Sequence, residues 1–364
     1  MKAVSVVGAR PQFIKAAMLS RELRKNHEEI LVHTGQHFDA NMSDVFFADL
    51  EIPNPKYNLG IDSLPREKMI EEMEKSIIPI LEKENPDIVF VFGDTNSTLA
   101  AAEASKKLGI PVAHIEAGMR SYDSSMPEEK NRVATDRISS LLFCPTESSM
   151  KNLEKEAIIT DQKKKIFVYN VGDIMVEMMK TAITLAEKKS SILSTLKMEK
   201  KNYIYATIHR ASNTDTKENL RSILSALSQS PVPVVFPVHP RTKKAIESFG
   251  LGKLLESGSI IPVGPVSYYD SLVLEKNALK IVTDSGGMQK EAFIFMVPCI
   301  TARNETEWTE TAEEGWNLLV GADKSKILGA IKNFSPEKKQ SSPFGSGNAT
   351  KKIVELTESY LNLR

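Results

Sequence analysis

The feature that most constrains the fold of this chain is a repeated alternation of short apolar runs with longer amphipathic segments. In the first half, runs rich in valine and isoleucine predict β-strands over residues 3–7, 30–34, 87–92, 111–115, 141–144 and 166–170. The segments between them predict helices over residues 11–25, 41–49, 66–84, 97–108, 128–140 and 147–155. Apolar strands separated by helices are typical of a parallel sheet covered on both faces. This half therefore predicts a doubly wound α/β domain.

The same alternation begins again in the second half, after a helix predicted over residues 173–189 and a lysine-rich polar run, residues 188–202, that we interpret as a solvated face or linker. Strands are predicted over residues 203–208, 232–238, 259–263, 280–283, 298–300 and 317–320. Helices are predicted over residues 217–228, 241–249, 268–276, 288–295, 324–334 and 350–361. The chain thus predicts two doubly wound α/β domains, residues 1–172 and 173–348, with a cleft between them.

Charge and composition exclude several classes of function. Lys plus Arg and Asp plus Glu number 47 each, so the chain lacks the basic excess typical of nucleic-acid binding. No apolar run approaches the roughly 20 residues of a membrane span, and the first apolar run is too short for a signal peptide. Cys144 and Cys299 lie in apolar runs, and His27, His33 and His37 lack the spacing of metal ligands. We expect a cytoplasmic protein without a metal, a membrane or a nucleic-acid partner.

Ligands of open parallel sheets bind beyond the carboxyl ends of the strands, so residues that directly follow strands are the first candidates for a site. After the first strand, Gly8 permits a tight turn and Pro11 suits the first turn of a helix. The helix start would offer free amides to an anion, with Arg10 and Lys15 as cationic partners. An ordinary turn with exposed basic residues is an equally good interpretation. Neither a glycine-rich dinucleotide motif nor a Walker-type motif is present.

Two acidic residues follow consecutive strands of the first half. Asp94 comes after the strand at residues 87–92, and Glu116 comes after the strand at residues 111–115. For Asp94 alone, a helix cap or an Asx turn is the favoured interpretation. Together the two could be neighbours, and adjacent carboxylates push their pKa values apart, which supplies one site with an acid and a base.

The connection that begins at His114 is unusually rich in charge. Up to the start of the next helix it contains Glu116, Arg120, Asp123, Glu128, Glu129, Lys130 and Arg132. Carboxylates transfer protons and arginines bind anions. The stretch therefore predicts a site for an anionic sugar or phosphate compound.

Basic residues follow two strands of the second half. His209 and Arg210 end one strand, and His239 and Arg241 end the next, which suggests contacts with an anionic ligand. A lone histidine is more often structural than catalytic, and that interpretation stays open here.

A glycine pair, Gly286 and Gly287, follows the strand at residues 280–283 together with Ser285. Paired glycines permit close backbone approach, and the following helix start supplies amides for a diphosphate. Glu291 lies about one turn further on, where a carboxylate could accept hydrogen bonds from ribose. A glycine-rich turn with a solvated glutamate is the plain alternative.

Taken together, eight segments in order resemble the non-hydrolysing UDP-N-acetylglucosamine 2-epimerases. They are VVGARPQFIK, HTGQH, FGDTNSTLAAA, HIEAGMRS, MPEEKNR, TIHR, PVHPR and TDSGGMQKEA. The resemblance implies the GT-B architecture, with two Rossmann-like domains around a cleft and a C-terminal helix, residues 349–364, that packs back on the first domain. It also implies a homodimer that needs neither a cofactor nor a metal.

The resemblance further implies a reaction and the residues that perform it. The reaction is the reversible 2-epimerisation of UDP-N-acetylglucosamine to UDP-N-acetylmannosamine, by anti elimination of UDP to 2-acetamidoglucal and re-addition. The implied catalytic residues are Asp94, Glu116, Glu128 and His209. The implied substrate contacts are Arg10, Lys15, Ser285, Gly286, Gly287 and Glu291, the last of them on the ribose. An allosteric UDP-N-acetylglucosamine site is implied at Gln36, His37 and Arg66.

One departure leaves the substrate open. Many bacterial members have an arginine in a T-E-R-P-E run where this chain has Trp308. The resulting E-T-E-W run also resembles the subgroup that acts on UDP-2,3-diacetamido-2,3-dideoxyglucuronic acid, so the groups at C3 and C6 of the sugar are not fixed. Arg303 is predicted to supply a replacement charge to the substrate.

Other functions remain as alternatives. A GT-B glycosyltransferase shares the diphosphate-binding helix start but needs an acceptor and does not need three carboxylates on its first domain. A hydrolysing epimerase would release UDP in bulk. A pure nucleotide-sugar binding protein would leave the acidic residues without a purpose.

Overall fold

A computed structural model describes residues 1–36, 54–158 and 166–363 of the chain. The chain divides into two compact units. The first consists of residues 1–178 and 342–364, and the second consists of residues 179–341. The helix predicted over residues 41–49 lies outside the described residues.

The first unit is built on a parallel sheet. Its strands are β1 (Lys2–Val7), β2 (Glu28–His33), β3 (Tyr57–Asn58), β4 (Ile88–Phe92), β5 (Val112–Ile115), β6 (Leu141–Cys144) and β7 (Phe167–Asn170). Its helices are α1 (Arg10–Leu23), α2 (Arg66–Glu84), α3 (Asn96–Lys107), α4 (Pro127–Ile138), α5 (Glu147–Lys155) and, across the unit boundary, α6 (Ile174–Lys189). Within the described residues the sheet has seven strands in the order β3-β2-β1-β4-β5-β6-β7.

The second unit repeats this plan. Its strands are β8 (Ile204–Thr207), β9 (Val234–Pro237), β10 (Ile260–Val263), β11 (Lys280–Thr283), β12 (Cys299–Thr301) and β13 (Asn317–Leu319). Its helices are α7 (Ile192–Thr195), α8 (Ala211–Thr214), α9 (Lys217–Ser228), α10 (Pro240–Ser248), α11 (Gly252–Leu255), α12 (Tyr268–Asn277), α13 (Gly286–Ile294), α14 (Thr309–Glu313) and α15 (Lys324–Asn333). The strand order is β10-β9-β8-β11-β12-β13, again parallel. The predicted fold class, two α/β domains with parallel sheets, is confirmed.

The central strands are buried on both faces, which explains their continuous apolar sequences. Every residue of β4 is fully buried, as is every residue of β6. A last helix, α16 (Ala349–Leu361), belongs to the first unit, where it contacts α1. None of the described helices combines the length and the apolar character needed to cross a lipid bilayer.

The polar run at residues 188–202 was predicted to be a solvated face or linker, and part of that prediction is wrong. It contains α7, and four apolar side chains of the run pack against the core beside β8, namely Ile192, Leu193, Leu196 and Met198. Because these apolar residues are interspersed with lysines and serines, the short amphipathic pattern was not recognised in the sequence. A helix of one turn is too short for hydrophobic periodicity to reveal, and the same holds for α8, α11 and α14.

Each sheet has a point at which the strand order reverses. In the first unit this switch lies between β1 and β4, and in the second unit it lies between β8 and β11. Loops after these strands diverge to opposite faces of the sheet, and the crevice they leave is where such sheets bind ligands. The two switch points locate the candidate site residues of each unit.

Gly118 provides a test of the loop that follows β5. Its φ of +76° lies in the left-handed region, and a Cβ atom there would collide with the carbonyl oxygen of Ser149. We expect Gly118→Ala to lower the free energy of unfolding by roughly 2–4 kcal/mol, through backbone strain and overpacking. Urea denaturation followed by circular dichroism measures this change.

Gly109 is the matched control. It has a similar φ of +68°, but a Cβ atom there meets open space. Gly109→Ala should therefore cost only the strain of about 1 kcal/mol. Equal losses in the two variants would show that the contact with Ser149 is unimportant.

Candidate active site

The turn after β1 lies at the switch point of the first unit. Gly8 has no room for a side chain, because a Cβ atom would collide with the hydroxyls of Thr34 and Ser97. Gln12 Oε1 accepts hydrogen bonds from the amides of Gly8 at 2.8 Å and Ala9 at 3.0 Å. The side chain of Gln12 therefore caps two amides that precede α1, and these two groups are not available to an anion.

Lys15 lies one turn beyond Gln12 and forms an ion pair with Glu116. Its side chain is buried. Burial alone would lower the pKa of Lys15, but the carboxylates of Glu116, Asp173 and Asp94 outweigh burial and raise it. Lys15 is therefore a fixed ammonium ion among carboxylates. Of Arg10 the structure describes only its place as the first residue of α1.

Glu116 directly follows β5 with an unusual backbone. Its φ of +71° lies in the left-handed region, which costs a residue other than glycine about 1 kcal/mol. The amides of Glu116 and Ala117 both donate to the carbonyl oxygen of Phe143 at 3.1 Å, which holds the turn in place. A Cβ atom on Gly93 would lie 3.2 Å from Glu116 Oε2, so the carboxylate rests against the end of β4. Such strain is common at functional sites.

Asp94 follows β4, beside β5 in the sheet, as the prediction of neighbouring strand ends required. The interpretation of Asp94 as a helix cap is wrong, because Thr95 caps α3 and accepts from the amide of Thr98. The Asp94 carboxylate pairs instead with Arg132. Asp94 and Glu116 therefore each face a cation of their own.

Glu128 and Glu129 occupy the first turn of α4 but differ in environment. Glu129 is buried and accepts hydrogen bonds from the amides of Ser121 and Tyr122 at 2.9 and 3.1 Å. It also pairs with Arg132 at 3.1 Å. Glu128 is exposed. Glu129 thus fixes the loop, whereas the carboxylate of Glu128 is exposed on the surface of the helix.

A buried network beneath these carboxylates joins three charged side chains. Asp136 Oδ1 lies 2.7 Å from His114 Nδ1, and Asp136 Oδ2 accepts from Arg120 Nη1 at 2.7 Å. Burial alone would raise the pKa of Asp136, but His114 and Arg120 lower this pKa by more than burial raises it. Asp136 is therefore ionised. His114 Nε2 faces the carbonyl oxygen of Gly93 at 2.7 Å. Because both partners of His114 only accept, both ring nitrogens carry hydrogens and the imidazole is a cation.

The network links the loops that carry Asp94 and Glu116. His114 bonds the end of β4, and Asp136 accepts from the amide of Gly118 at 3.2 Å. The sequence placed His114 and Arg120 in a charged stretch but did not predict this role. Asp136 gave no signal, because it stands ten residues into what reads as an ordinary amphipathic helix.

The residues implied for an allosteric site are only partly described. Gln36 Oε1 accepts from the amide of Ser97 at 3.0 Å, at the start of α3. Arg66 begins α2 and donates to Asn131 Oδ1 at 2.5 Å. His37 lies outside the described residues.

In the second unit, Asp284 joins the two strands at the switch point. It follows β11, is fully buried, and accepts from the amides of His209 and Arg210, both at 3.0 Å. Asn213 Nδ2 donates to the same carboxylate at 3.0 Å. Asp284 therefore fixes the loop that carries His209.

His209 lies beside His239, with ring centroids 5.5 Å apart. Burial, together with His239 and Arg210, lowers the pKa of His209, although Asp284 opposes the shift. His209 is therefore neutral at pH 7. His239 Nδ1 accepts from the amide of Arg241 and so caps α10.

Arg241 was predicted to contact an anionic ligand. In the structure its guanidinium pairs with Asp215 at 2.6 Å and donates to Thr214 Oγ1 at 2.9 Å. Its charge is thus already engaged by an acidic side chain.

The predicted diphosphate site lies at the start of α13, which begins two residues earlier than predicted. Ser285 caps the helix, Gly286 is buried and Gly287 is exposed. A Cβ atom on Gly286 would collide with the carboxylate of Glu307. Glu307 is held by Arg303 at 2.9 Å, and Arg210 lies 3.5 Å away. The sequence did not predict an acidic side chain at this helix start.

Comparisons with known proteins agree on one family. A family model described as UDP-N-acetylglucosamine 2-epimerase matches residues 21–358. A UDP-N-acetylglucosamine 2-epimerase homolog of Methanococcus maripaludis is 51% identical over 98% of this chain and 99% of that protein. A UDP-2,3-diacetamido-2,3-dideoxy-D-glucuronate 2-epimerase of Pseudomonas aeruginosa is 42% identical over 98% and 99%. The crystal structure of Methanocaldococcus jannaschii UDP-GlcNAc 2-epimerase in complex with UDP-GlcNAc and UDP superimposes with a TM-score of 0.83, at 42% identity over 99% of this chain and 100% of that chain.

The buried network gives a prediction for stability. Asp136→Asn leaves the cation of His114 without its counter-charge and leaves Arg120 with only the carboxylate of Glu156. We expect the free energy of unfolding at about pH 7 to fall by roughly 3–5 kcal/mol, measured by urea denaturation. Asp123→Asn, at an exposed position, is the control and should unfold close to wild type.

The same variant should change the response to acid. The folded pKa of Asp136 lies below its unfolded value of about 3.9, so its stabilisation is present above that pH and is lost as the pH falls through the folded pKa. The difference between wild type and Asp136→Asn should therefore shrink in acid. A constant difference would contradict this account of the network.

Proposed function

Because this chain belongs to the UDP-N-acetylglucosamine 2-epimerase family, we propose that it interconverts UDP-N-acetylglucosamine and UDP-N-acetylmannosamine by elimination and re-addition of UDP. One observation carries the proposal. Glu116 and Asp94 end neighbouring strands, and both act on the buried ammonium of Lys15. Carboxylates placed this closely around a fixed cation suit proton transfer at a single carbon atom.

The reaction begins with a weakly acidic proton at C2 of the sugar. A carboxylate removes this proton while the C1–O bond to UDP breaks, which gives 2-acetamidoglucal and UDP. A second acid then returns a proton to the opposite face of C2, and UDP re-forms the bond at C1. Coupling proton removal to departure of the leaving group avoids a free carbanion, which lowers the barrier.

The residues of the first unit provide the proton donors and acceptors in this proposal. Lys15 forms an ion pair with Glu116, and Arg132 forms an ion pair with Asp94. Glu128 is exposed on the first turn of α4 and has no such partner among the described contacts. The three carboxylates thus meet different environments, as a site that needs both a base and an acid requires.

The residues of the second unit hold UDP in this proposal. The start of α13, with Ser285 and Gly286, provides amides for the diphosphate, and Arg303 lies close enough to add a positive charge. His209 is neutral at pH 7 and follows β8 next to this helix start. It can therefore donate or accept a hydrogen bond at the leaving UDP oxygen.

A second candidate substrate is UDP-2,3-diacetamido-2,3-dideoxyglucuronic acid. The support is Trp308, in place of the arginine of the T-E-R-P-E run, together with the 42% identity to the Pseudomonas aeruginosa enzyme of that name. Trp308 is buried, and Lys290 Nζ lies 4.0 Å from the centre of its ring. The same elimination chemistry applies to either sugar.

The carboxylates provide the test of the mechanism. Asp94→Asn, Glu116→Gln and Glu128→Gln should each lose about 10²- to 10⁴-fold in turnover, because each removes a proton-transfer group, while UDP binding is retained. In deuterated buffer without an acceptor, wild type should incorporate deuterium at C2 of both epimers. Proton NMR measures turnover and exchange in the same sample.

Glu154→Gln, on the exposed face of α5, is the matched control and should keep full activity. Near-normal rates in all three carboxylate variants would defeat the assignment. Absence of deuterium at C2 would favour a glycosyltransferase, and bulk release of UDP would favour a hydrolysing enzyme.

The substrate is tested by supplying each nucleotide sugar separately. We expect turnover of UDP-N-acetylglucosamine, with the C2 configuration followed by NMR. Turnover confined to the diacetamido-uronate would identify the second candidate, and then Lys290→Met should lower kcat/KM for the acidic sugar most strongly.

A further inference from the structure

Two glutamates of the second unit form a carboxyl pair. Glu275 on α12 and Glu291 on α13 hydrogen-bond through their side chains. Glu275 is 1% exposed, whereas Glu291 is half-buried. Ser271 Oγ donates to Glu275 Oε1 at 2.7 Å and lies 3.0 Å from the hydroxyl of Tyr205. The Oε1 atom of Glu275 is therefore held by the hydroxyl of Ser271.

The second oxygen, Oε2 of Glu275, is buried and accepts from no donor among the described residues. An ionised Glu275 would leave it unsatisfied, at considerable cost in a buried site. The ionised carboxylate of Glu291 cannot help, since it only accepts. A proton on Glu275 Oε2 turns the same atom into a donor to Glu291. Protonation therefore satisfies both side chains at once.

The surroundings favour one negative charge on the pair. The titratable groups that face Glu275 are Tyr203 and Tyr205 of β8, Cys299 of β12 and Glu291 of α13. Burial raises the pKa of both tyrosines, and it raises the pKa of Cys299 to about 12, so these three are neutral at pH 7. Burial first, and then Glu291, raise the pKa of Glu275 well above its ordinary value. The charge therefore resides on the less buried Glu291.

We propose that Glu275 is a neutral positioning residue whose carboxyl proton holds the Glu291 carboxylate ready to accept hydrogen bonds from the ribose of a uridine nucleotide. This inference rests on the proposed function, in which Glu291 contacts the ribose. The proton of Glu275 is donated to the Glu291 carboxylate, which in the proposed function also accepts from the ribose hydroxyls. Glu275 thereby acts on nucleotide recognition without touching the nucleotide.

This role has a signature that a merely structural role lacks. If Glu275 orients Glu291 toward the ribose, its loss weakens nucleotides that carry the 2′-hydroxyl more than nucleotides without it. A general loss of packing would weaken both equally. The role also depends on the proton, so an amide that donates permanently should replace the carboxyl.

The experiment measures dissociation constants of UDP and 2′-deoxy-UDP by calorimetry. We expect Glu275→Leu to weaken UDP about tenfold and 2′-deoxy-UDP much less, because a hydrogen bond to a charged group is lost. Glu275→Gln should restore the preference for UDP. From neutral to alkaline pH, wild type should lose UDP affinity as Glu275 ionises, whereas Glu275→Gln should not. Glu256→Leu, at an exposed position, is the matched control for Glu275→Leu.

Equal weakening of both nucleotides in Glu275→Leu would overturn the inference, and so would unchanged affinity for UDP. If Glu275→Leu does not fold, an alkaline loss of UDP affinity that is the same in wild type and Glu275→Gln has the same consequence. A wild-type protein that binds neither nucleotide overturns the proposed function itself. A preference for UDP that survives in Glu275→Leu while Glu291→Gln abolishes it leaves the proposed function intact and rejects only the role of Glu275.

Discussion

The candidate site of the first unit depends on the position of one buried carboxylate, Asp136, between two buried cations. His114 extends the interaction to the end of β4, and Arg120 extends it to Glu156 at 2.6 Å. Without the negative charge, His114 would lose its counter-charge and Arg120 would keep only Glu156. Removing one partner from a buried ion network is strongly destabilising. With the charge of Asp136 in place, the network connects the loops after β4 and β5. This connection limits the movement of Asp94 and Glu116.

The second unit also has a buried aspartate, Asp284, that fixes the loops at its switch point. Asp284 accepts from two backbone amides of the loop after β8 and from the Asn213 side chain, so the ends of β8 and β11 are fixed to each other. In both units a buried aspartate, itself unavailable to a ligand, holds the loops at the switch point. Residues that could act on a substrate lie one layer above it. This layering is consistent with the rule that a reactive group needs support from a second set of contacts.

The sequence predicted the two parallel sheets well because their strands are continuous apolar runs, a pattern that few other folds produce. It also predicted that Asp94 and Glu116 would end neighbouring strands, since consecutive strands usually pair. It failed where the deciding contact joins residues far apart in the chain. Gln12 capping its own helix start, Arg132 pairing with Asp94, and Glu307 lying against Gly286 all depend on tertiary packing. No periodicity or spacing encodes these contacts, and Asp136 and Glu275 look like ordinary helix residues until their burial is known.

The carboxylate of Glu307 lies at the start of α13, where the proposed function places the diphosphate of UDP. Arg303 and Arg210 already pair with this carboxylate. Under the proposed function, a diphosphate would therefore compete with Glu307 for the two guanidinium groups. The affinity for the diphosphate would then reflect the difference between two anions that compete for the same arginines. Because one anion replaces another, the net charge of the site changes little. Association would then depend less on ionic strength than association with a cluster of arginines that has no carboxylate partner.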